Sequence, residues 1–484
     1  MSIYKKFTKD VFVIGLINAL GFLRGIIVLP IITKFLGAMN YGIWAQLSTT
    51  INLTAAFIVL GLPFALVRFL AAEKDRKEIQ EGVYSVFASV GIIALVVALL
   101  LAMFSGWIAG FFQCDPFLIK ILGLIIIFEC LNAVNSSIFM AFQETKKYAF
   151  FIVLQLIGEV GLTALAVLLG YGLYGILVSL LSVQLLVFLL SFYTIAKKIG
   201  IKIPTFSPIK KYLLFGFPTV ITNFSYWAVS SADRYLINLF MGVIFVGYYA
   251  PAYSIGAIMN ILIYPIGLVL FFSLPKIFDE NKITEVKNVL KYSLKFFLLI
   301  AIPSAFGLSV LAKQLLVIFS TKEIADNAYF VVPFIVASIF LYGVCYFFNQ
   351  ILVLAKKTKL IAVIWAIAAA LNVMLNIIFI PRFGILAAGI TTLAAYTCAV
   401  ILMGYFAGKH LQLEINWLFI LKSILSSAVM ALFIVYVNPS GLLNMLAAIA
   451  ASVFIYGILI LLLKGINEKE IQFLKNIVRS SEST

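Results

Sequence analysis

The chain has 484 residues, of which 64% are hydrophobic and 11% are charged, and its mean hydropathy is +1.15. A soluble globular protein is roughly 45–50% apolar and about 25% charged. This composition therefore excludes a water-soluble fold and predicts that the lipid bilayer is part of the solvent. One histidine and four cysteines exclude a histidine-rich metal site and a disulfide framework, so we expect no metal and no cofactor.

Apolar runs long enough to cross a bilayer occur throughout the chain, since a spanning helix needs about 20 mostly apolar residues. The runs are continuous rather than alternating, which excludes barrel strands. The sequence predicts an all-α polytopic membrane protein with about 14 transmembrane helices. In chain order these spans are approximately 11–36, 43–71, 83–110, 118–141, 149–170, 174–196, 213–241, 245–273, 296–319, 328–354, 360–380, 384–408, 416–437 and 443–463.

The basic residues indicate how these spans are oriented. With the N-terminus placed inside, the inner segments hold 26 lysines and arginines and the outer segments hold 3. Cytoplasmic loops are enriched in these residues, so we expect both termini to be cytoplasmic and the chain to lie in the inner (cytoplasmic) membrane. The net charge of +16 then faces anionic membrane lipid, and we expect no nucleic-acid partner.

An internal repeat divides the spans into two blocks of six. Residues 5–49 align without gaps on residues 210–254 at an offset of 205, which pairs Gly37 with Gly242 and Gly42 with Gly247. An even number of spans in each copy predicts parallel repeats, the layout of an alternating-access carrier. We predict an N-lobe (1–196, TM1–6), a cytoplasmic linker (197–212), a C-lobe (213–408, TM7–12), two extra helices (416–463, TM13–14) and a cytoplasmic amphipathic tail (464–484).

Ionisable residues lie inside several spans, where each costs at least about 2.5–3.5 kcal/mol and is a candidate for function. Arg24 is halfway along span 1, Glu129 and Glu159 are central in spans 4 and 5, and Asp233 and Arg234 lie in span 7. One interpretation is internal pairing, with Glu129 or Glu159 as the partner of Arg24. The other is that the carboxylates, including Asp233, couple transport to an ion.

The arginines favour an anionic substrate, because a guanidinium binds phosphate through two parallel hydrogen bonds and stays charged when desolvated. Asn18 lies one turn or so from Arg24. Arg68 is within about a turn of the inner end of span 2, where snorkelling to the interface is the alternative explanation. Arg234 shares one helical face of span 7 with three residues that predict a polar cavity wall. These are Asn223, Trp227 and Ser230.

Several stretches resemble bacterial polysaccharide transporters, O-antigen-type flippases of the multidrug/oligosaccharidyl-lipid/polysaccharide (MOP) exporter superfamily. The resemblance runs across spans 1 to 12. The residues that carry it are Arg24 with Leu29-Pro30-Ile31-Ile32-Thr33-Lys34-Phe35-Leu36-Gly37, Tyr41-Gly42-Ile43-Trp44, Leu66-Val67-Arg68-Phe69-Leu70-Ala71, Asp233-Arg234-Tyr235, Gly247-Tyr248-Tyr249-Ala250, and Leu371-Asn372 through Ile380-Pro381 and Gly384.

The resemblance implies two lobes around a cationic cavity and a cargo of oligosaccharide on polyprenyl pyrophosphate. It also implies a role in polysaccharide or lipopolysaccharide biosynthesis, and we expect contact with glycan polymerase machinery. Arg24 matches an expected cavity arginine and Asp233-Arg234 a recurring pair, whereas Glu129 and Glu159 match no family motif. We expect coupling to H⁺ or Na⁺. The alternative is a MATE-like, cation-coupled multidrug exporter. An enzyme is disfavoured, because the loops are short and lack a nucleotide loop, metal-ligand spacing or a nucleophile with a base.

Overall fold

The computed structural model describes residues 3–71 and 73–465, without the side chains of residues 3–20, 22, 23, 218, 264, 268, 269, 271 and 272. Within these residues all regular structure is helical, which confirms the predicted all-α fold. The first nine helices are α1 Ile3–Ile58, α2 Leu62–Leu70, α3 Arg76–Met103, α4 Ser105–Phe112, α5 Pro116–Ala141, α6 Thr145–Leu168, α7 Gly172–Ile199, α8 Ile209–Met241 and α9 Val243–Gly256. The remaining nine are α10 Asn260–Asp279, α11 Ile283–Val310, α12 Ala312–Phe319, α13 Lys322–Ala328, α14 Val332–Leu354, α15 Thr358–Phe383, α16 Ile385–Gly408, α17 Trp417–Val437 and α18 Leu442–Leu462. Short 3₁₀ turns lie at Ala257–Met259 and Tyr329–Val331.

Twelve helices of the described part are long and apolar enough to cross a membrane. Each of the predicted spans falls on helical residues, but the spans are divided differently. Span 1 and the first part of span 2 lie in α1, which is broken by non-helical backbone at Gly37 rather than by a loop, and the rest of span 2 lies in α2. Span 7 corresponds to α8, which is 33 residues long but is not among the twelve. Helix α8 carries an internal Asp-Arg pair and several amides and hydroxyls, so it is less apolar than its neighbours.

The two copies of the sequence repeat share local structure. Gly37 has φ 78° and Gly242 has φ 96°, a region that favours glycine, and both glycines interrupt helices at equivalent positions. Helices α3 and α4 are 28 and 8 residues long, and helices α11 and α12 have these same two lengths. Each copy therefore repeats a long helix, a one-residue break and a short helix.

The chain separates into two compact units. One unit consists of residues 20–250, which include α2 to α8. The other contains α10 to α18, within residues 251–465 of the described part. Its polar core includes Asn372 and Asn376 of α15, which are completely buried. The division falls inside α9 and not in the 197–212 linker, and the predicted lobe boundaries stay a prediction.

Span 2 contains a sharp break where it packs on α8. Leu60 and Gly61 have φ values of 47° and 70°, and Pro63 follows in the first turn of α2. A Cβ atom on Gly61 would lie 2.3 Å from the carbonyl oxygen of Gly216, so the two backbones are in direct contact. The break therefore depends on glycine for its conformation and for its packing.

On both sides of this break, side chains of α1 and α2 contact side chains of α8. Aromatic pairs lie on either side of Gly61, and polar pairs lie further along α1. The ring pairs are Phe57–Phe224, Phe64–Phe215 and Phe69–Tyr212, with centroids 5.1, 5.7 and 5.1 Å apart. The polar contacts are Thr50 with the Tyr235 hydroxyl at 2.7 Å and Gln46 Nε2 with the Arg234 carbonyl at 2.8 Å.

Candidate substrate and ion-coupling site

Arg24 of α1 forms an ion pair with Glu159 of α6. The Arg24 side chain is 35% exposed and that of Glu159 is 2% exposed. The structure shows Arg24 paired with Glu159 rather than with Glu129, and the coupling of transport to an ion by these carboxylates stays a prediction. About a third of the Arg24 side chain therefore stays exposed while the guanidinium is paired with Glu159.

Glu129 of α5 lies beside this pair and is connected to it through Gln184 of α7. The Gln184 amide nitrogen donates to Glu129 Oε2, and it donates to Glu159 Oε1 at 3.1 Å. Gln155 Nε2 also donates to Glu159 Oε1, at 3.0 Å. Four helices therefore bring one arginine and two carboxylates into a single cluster inside the membrane-spanning region. We call Arg24, Glu129, Glu159 and Gln184 the carboxylate cluster.

Gln184 and its partner Asn132 were not predicted from the sequence. Asn132 Nδ2 donates to Gln184 Oε1 at 2.6 Å and to the Gln184 carbonyl at 3.0 Å. A signal for them was available, because Glu129, Asn132 and Asn135 follow one another at a spacing of three in an otherwise apolar helix. That spacing places them on one face of α5, and this face packs on α7.

Asp233 occupies a separate polar position in α8. It is completely buried, and it accepts hydrogen bonds from the Tyr249 hydroxyl and, at 2.8 Å, from the Arg234 backbone N–H. Arg234 is half-buried. The structure therefore gives Asp233 a hydroxyl and an amide as hydrogen-bond donors, and the charge of the adjacent Arg234 also acts on its carboxylate.

The residues of the predicted polar wall of α8 differ in their exposure and in their hydrogen-bond partners. Asn223 is exposed, whereas Trp227 is half-buried and stacks on Phe224 at 6.1 Å. The Trp227 indole nitrogen is buried and has no hydrogen-bond partner among the described residues. The Ser230 hydroxyl bonds back to the carbonyl of residue 227 at 3.2 Å.

Two other predicted binding residues, Arg68 and Asn223, make no described contact with the carboxylate cluster. Arg68 is exposed on α2, and among the described residues no hydrogen bond or ion pair joins Arg68 or Asn223 to the cluster. Asn18 lies outside the residues whose side chains are described. Of the sequence-predicted residues, the structure thus brings together Arg24, Glu129 and Glu159.

The charge balance at Arg24 differs from the positive cavity expected from the whole set of charged residues. One guanidinium faces two carboxylates, so the carboxylate cluster has a formal charge of −1 when all its groups are ionised. A buried net charge is costly in a membrane. Any anion that binds at Arg24 must therefore do so with a change in the charge of these carboxylates.

An apolar cavity of about 590 Å³ lies within the unit of residues 251–465. It is lined by the 3₁₀ turn at Ala257–Met259 and by helices α10, α11, α12, α17 and α18, and the polar side chains among its described lining residues are Ser304, Ser452 and Tyr456. The Tyr456 hydroxyl is turned to the carbonyl of Leu299 at 2.9 Å. The lining is therefore suited to a hydrocarbon chain, and the described lining residues include no charged side chain that could pair with an ionic group.

A multi-pass helical membrane fold with an internal repeat and buried charges defines the class of membrane transporters, not enzymes. Residues 31–328 match the family described as polysaccharide biosynthesis protein, which is more than half of the chain. The chain belongs to this family, which confirms the resemblance to bacterial polysaccharide transporters at the level of the family.

Similar proteins agree with this assignment. A probable low-salt glycan biosynthesis flippase of Haloferax volcanii, Agl15, is 22% identical over 285 residues, which are 58% of this chain and 59% of that protein. The fold is similar to that of the lipid II flippase MurJ in an inward closed conformation, with a TM-score of 0.74, 19% identity, and coverage of 93% of this chain and 98% of that one. An inward-facing multidrug resistance MATE family transporter of the MOP superfamily gives a TM-score of 0.65, with 14% identity over 81% of this chain and 94% of that one.

Proposed function

We propose that this chain moves polyprenyl-pyrophosphate-linked oligosaccharide from the cytoplasmic to the outer leaflet by alternating access between two six-helix lobes. It does so in the cytoplasmic membrane, with both termini cytoplasmic and with coupling to H⁺ or Na⁺. The observation that supports the proposal is the partly exposed Arg24 side chain, paired with buried Glu159. A diphosphate is the ligand that a membrane-embedded guanidinium binds best, through paired charge-assisted hydrogen bonds.

The apolar cavity in residues 251–465 supports a lipid-linked cargo. Its volume of about 590 Å³ is in the range of sites that hold one ligand, about 300–1,000 Å³. We assign it to part of the polyprenyl chain, because its lining is almost entirely hydrocarbon and its helices span the membrane. Membrane lipid would fill the same space when no cargo is bound.

The assignment of Arg24 is tested by translocation of a fluorescent polyprenyl-diphosphate oligosaccharide in proteoliposomes. We expect Arg24→Ala to abolish movement to the far leaflet, and Arg24→Lys to retain part of it, since lysine keeps the charge but loses the bidentate geometry. Lys34→Ala, which removes a basic residue from the same helix, is the control. If Arg24→Ala transports at the wild-type rate, the proposed site is wrong.

One observation favours the second candidate, a MATE-like exporter of organic cations. Glu129 and Glu159 face one amide beside a single arginine, and paired carboxylates are suited to a cationic substrate. Efflux of a fluorescent organic cation from cells that express the chain separates the two functions. A gradient-driven efflux that Glu159→Gln abolishes, together with normal surface glycan on deletion, would replace the flippase assignment by the exporter.

A further inference from the structure

The Gln184 amide nitrogen carries two hydrogens, and the structure directs them to two different carboxylates, Glu129 and Glu159. Asn132 fixes this orientation, because it donates to Gln184 Oε1 at 2.6 Å. A rotated amide would place its oxygen against both carboxylates and lose every one of these bonds. Gln184 is therefore held so that it connects the two acids, which belong to different helices.

The charged and titratable groups that face the two acids are few. In the described residues they are Arg24 from α1 and the buried Cys130 thiol beside Glu129 on α5, while α6 and α7 contribute the neutral amides Gln155 and Gln184. One proton shared by the two acids makes this group neutral. Two acids that share one donor titrate as a pair and not as independent groups.

We propose that diphosphate binding at Arg24 is coupled to the uptake of one proton by the Glu129–Glu159 pair, and that Gln184 is the residue that positions the pair for this exchange. The inference rests on the proposed function. Arg24 exchanges its partner from Glu159 to the diphosphate. Glu159, left without its cation and now near an anion, takes a proton from water, so that a carboxylate becomes a carboxylic acid.

Proton uptake lets Arg24 leave Glu159 without adding a second carboxylate that lacks a counter-ion to the cluster. An uncompensated buried carboxylate is strongly destabilising, because it has lost its hydration and gained no counter-ion. The Gln184 amide alone donates one hydrogen bond to each acid and does not neutralise either. The exchange therefore links occupancy of the anion site to the protonation state of the Glu129–Glu159 pair. The Gln184 amide connects the two carboxylates and so positions them for this exchange.

The coupling is measured by calorimetric binding of farnesyl diphosphate to the purified full chain in nanodiscs between pH 5.5 and 8.5. Two buffers with different enthalpies of ionisation report the number of protons taken up. For the wild type we expect the dissociation constant to rise about tenfold per pH unit in the coupled range, the slope for one linked proton. Glu159→Gln imitates the protonated acid, so we expect tight binding that no longer depends on pH.

The positioning role of Gln184 is tested with Gln184→Met, which keeps the size and removes both donors. We expect farnesyl diphosphate binding at pH 5.5 to be retained and the midpoint of the pH profile to shift by at least half a unit. Ser191→Ala is the matched control, because it removes another buried bond between α5 and α7, from Asn135 at 2.7 Å. Asn132→Leu, which frees the Gln184 amide, should shift the midpoint in the same direction and serves if Gln184→Met fails to fold.

The outcomes distinguish this inference from the proposed function. If farnesyl diphosphate binding to the wild type requires Arg24, but its dissociation constant does not vary with pH and its enthalpy is the same in both buffers, the coupling is wrong. The diphosphate site at Arg24 is then still supported. If Gln184→Met and Ser191→Ala move the midpoint equally, Gln184 has only a structural role. If the wild type does not bind farnesyl diphosphate, or if Arg24→Ala binds it equally well, the proposed function itself is wrong.

Discussion

Gly42 and Gly247, which the sequence repeat aligns at an offset of 205, lie against each other in the structure. A Cβ atom on Gly42 would be 2.2 Å from the Val243 carbonyl oxygen, and one on Gly247 would be 1.9 Å from the Ala38 carbonyl oxygen. Ala38 and Val243 are themselves related by the same offset. The two copies of the repeat thus cross through equivalent backbone contacts, which places a local two-fold axis between these glycines.

This crossing predicts that alanine at either glycine is destabilising. Because the atoms that a new methyl group would meet are backbone atoms, the helices must separate, at a cost of about 1–3 kcal/mol. We expect Gly42→Ala and Gly247→Ala to lower the thermal unfolding midpoint of the purified chain. Gly161→Ala is the control, since a Cβ atom there has nothing within 4 Å. Equal midpoints for all three variants would show that the contact is not close.

Much of the fold follows from the sequence, because its strongest determinants are local. Apolar length predicts every spanning stretch, and the repeat predicts that Gly37 and Gly242 occupy equivalent positions. What a pattern of apolar residues does not encode is where one helix ends within a span. Gly61 and Pro63 indicate a kink in span 2, but the contact of Gly61 with Gly216 involves another helix and does not follow from residues 43–71 alone.

The candidate site is predictable to a similar degree. A charged residue in an apolar run stands out in the sequence, and this identified Arg24, Glu129 and Glu159. An amide is weaker evidence, because many membrane helices carry one for an interhelical hydrogen bond. Gln184 therefore becomes significant only when its two carboxylate partners, from other helices, are brought to it by packing.

The residues that follow α7 are attached to the start of α3. Glu81 is 3% exposed and accepts from the Thr205 backbone N–H at 2.6 Å, from the Thr205 hydroxyl at 2.8 Å and from the Ser85 hydroxyl at 2.9 Å. It also pairs with Lys202 at 3.0 Å. One buried carboxylate therefore holds a segment of the predicted 197–212 linker that has no helix of its own.

We predict that Glu81→Ala releases this segment. Two linker donors and the Lys202 charge lose their acceptor, which costs about 1–3 kcal/mol. Hydrogen exchange of residues 200–208 should become faster, and proteolysis should cut there first. Glu78→Ala removes an exposed acid from the same first turn of α3 and should leave both measurements unchanged. Unaltered exchange in Glu81→Ala would contradict the anchoring.

Glu144 lies in the loop before α6, and its environment indicates that the free energy of unfolding of the protein depends on pH. Partial burial raises the pKa of its carboxyl, but hydrogen bonds and charge from Lys198 and Lys147 outweigh this effect and hold the pKa below its usual value. A lowered pKa in the folded state stabilises above the unfolded value of about 4.3, and the contribution is lost as the pH falls through the folded pKa.

We expect Glu144→Gln to be less stable than the wild type at pH 7, by about 1 kcal/mol or less, because the side chain keeps some exposure to solvent. The difference should become smaller as the pH falls below the unfolded value of about 4.3, and it should disappear where the folded wild-type carboxyl is protonated too. Thermal unfolding of both proteins at pH 7 and at pH 3 measures this. A difference that persists undiminished at pH 3 would show that the lost interaction is not ionic.

Helices α15 and α16 are joined by buried polar side chains within the second unit. Asn376 Nδ2 donates to Asn372 Oδ1 at 3.0 Å, and the Thr391 hydroxyl donates to Asn376 Oδ1 at 2.5 Å. Both asparagines are completely buried, and Thr391 is 3% exposed. A buried bond between membrane helices contributes about 0.6 kcal/mol on average and at most about 1.7 kcal/mol.

Thr391→Val and Thr397→Val form a matched pair on α16, because both replace a hydroxyl by a methyl group of similar volume. The Thr397 hydroxyl bonds only within its own helix, to the Leu393 carbonyl at 2.8 Å, whereas Thr391 bonds across to α15. We expect Thr391→Val to lose about 1 kcal/mol of stability, since Asn376 Oδ1 then lacks its donor, and Thr397→Val to lose much less. Unfolding of both variants in detergent with increasing denaturant measures the difference. Equal losses would mean that the interhelical bond adds nothing beyond the bonds within α16.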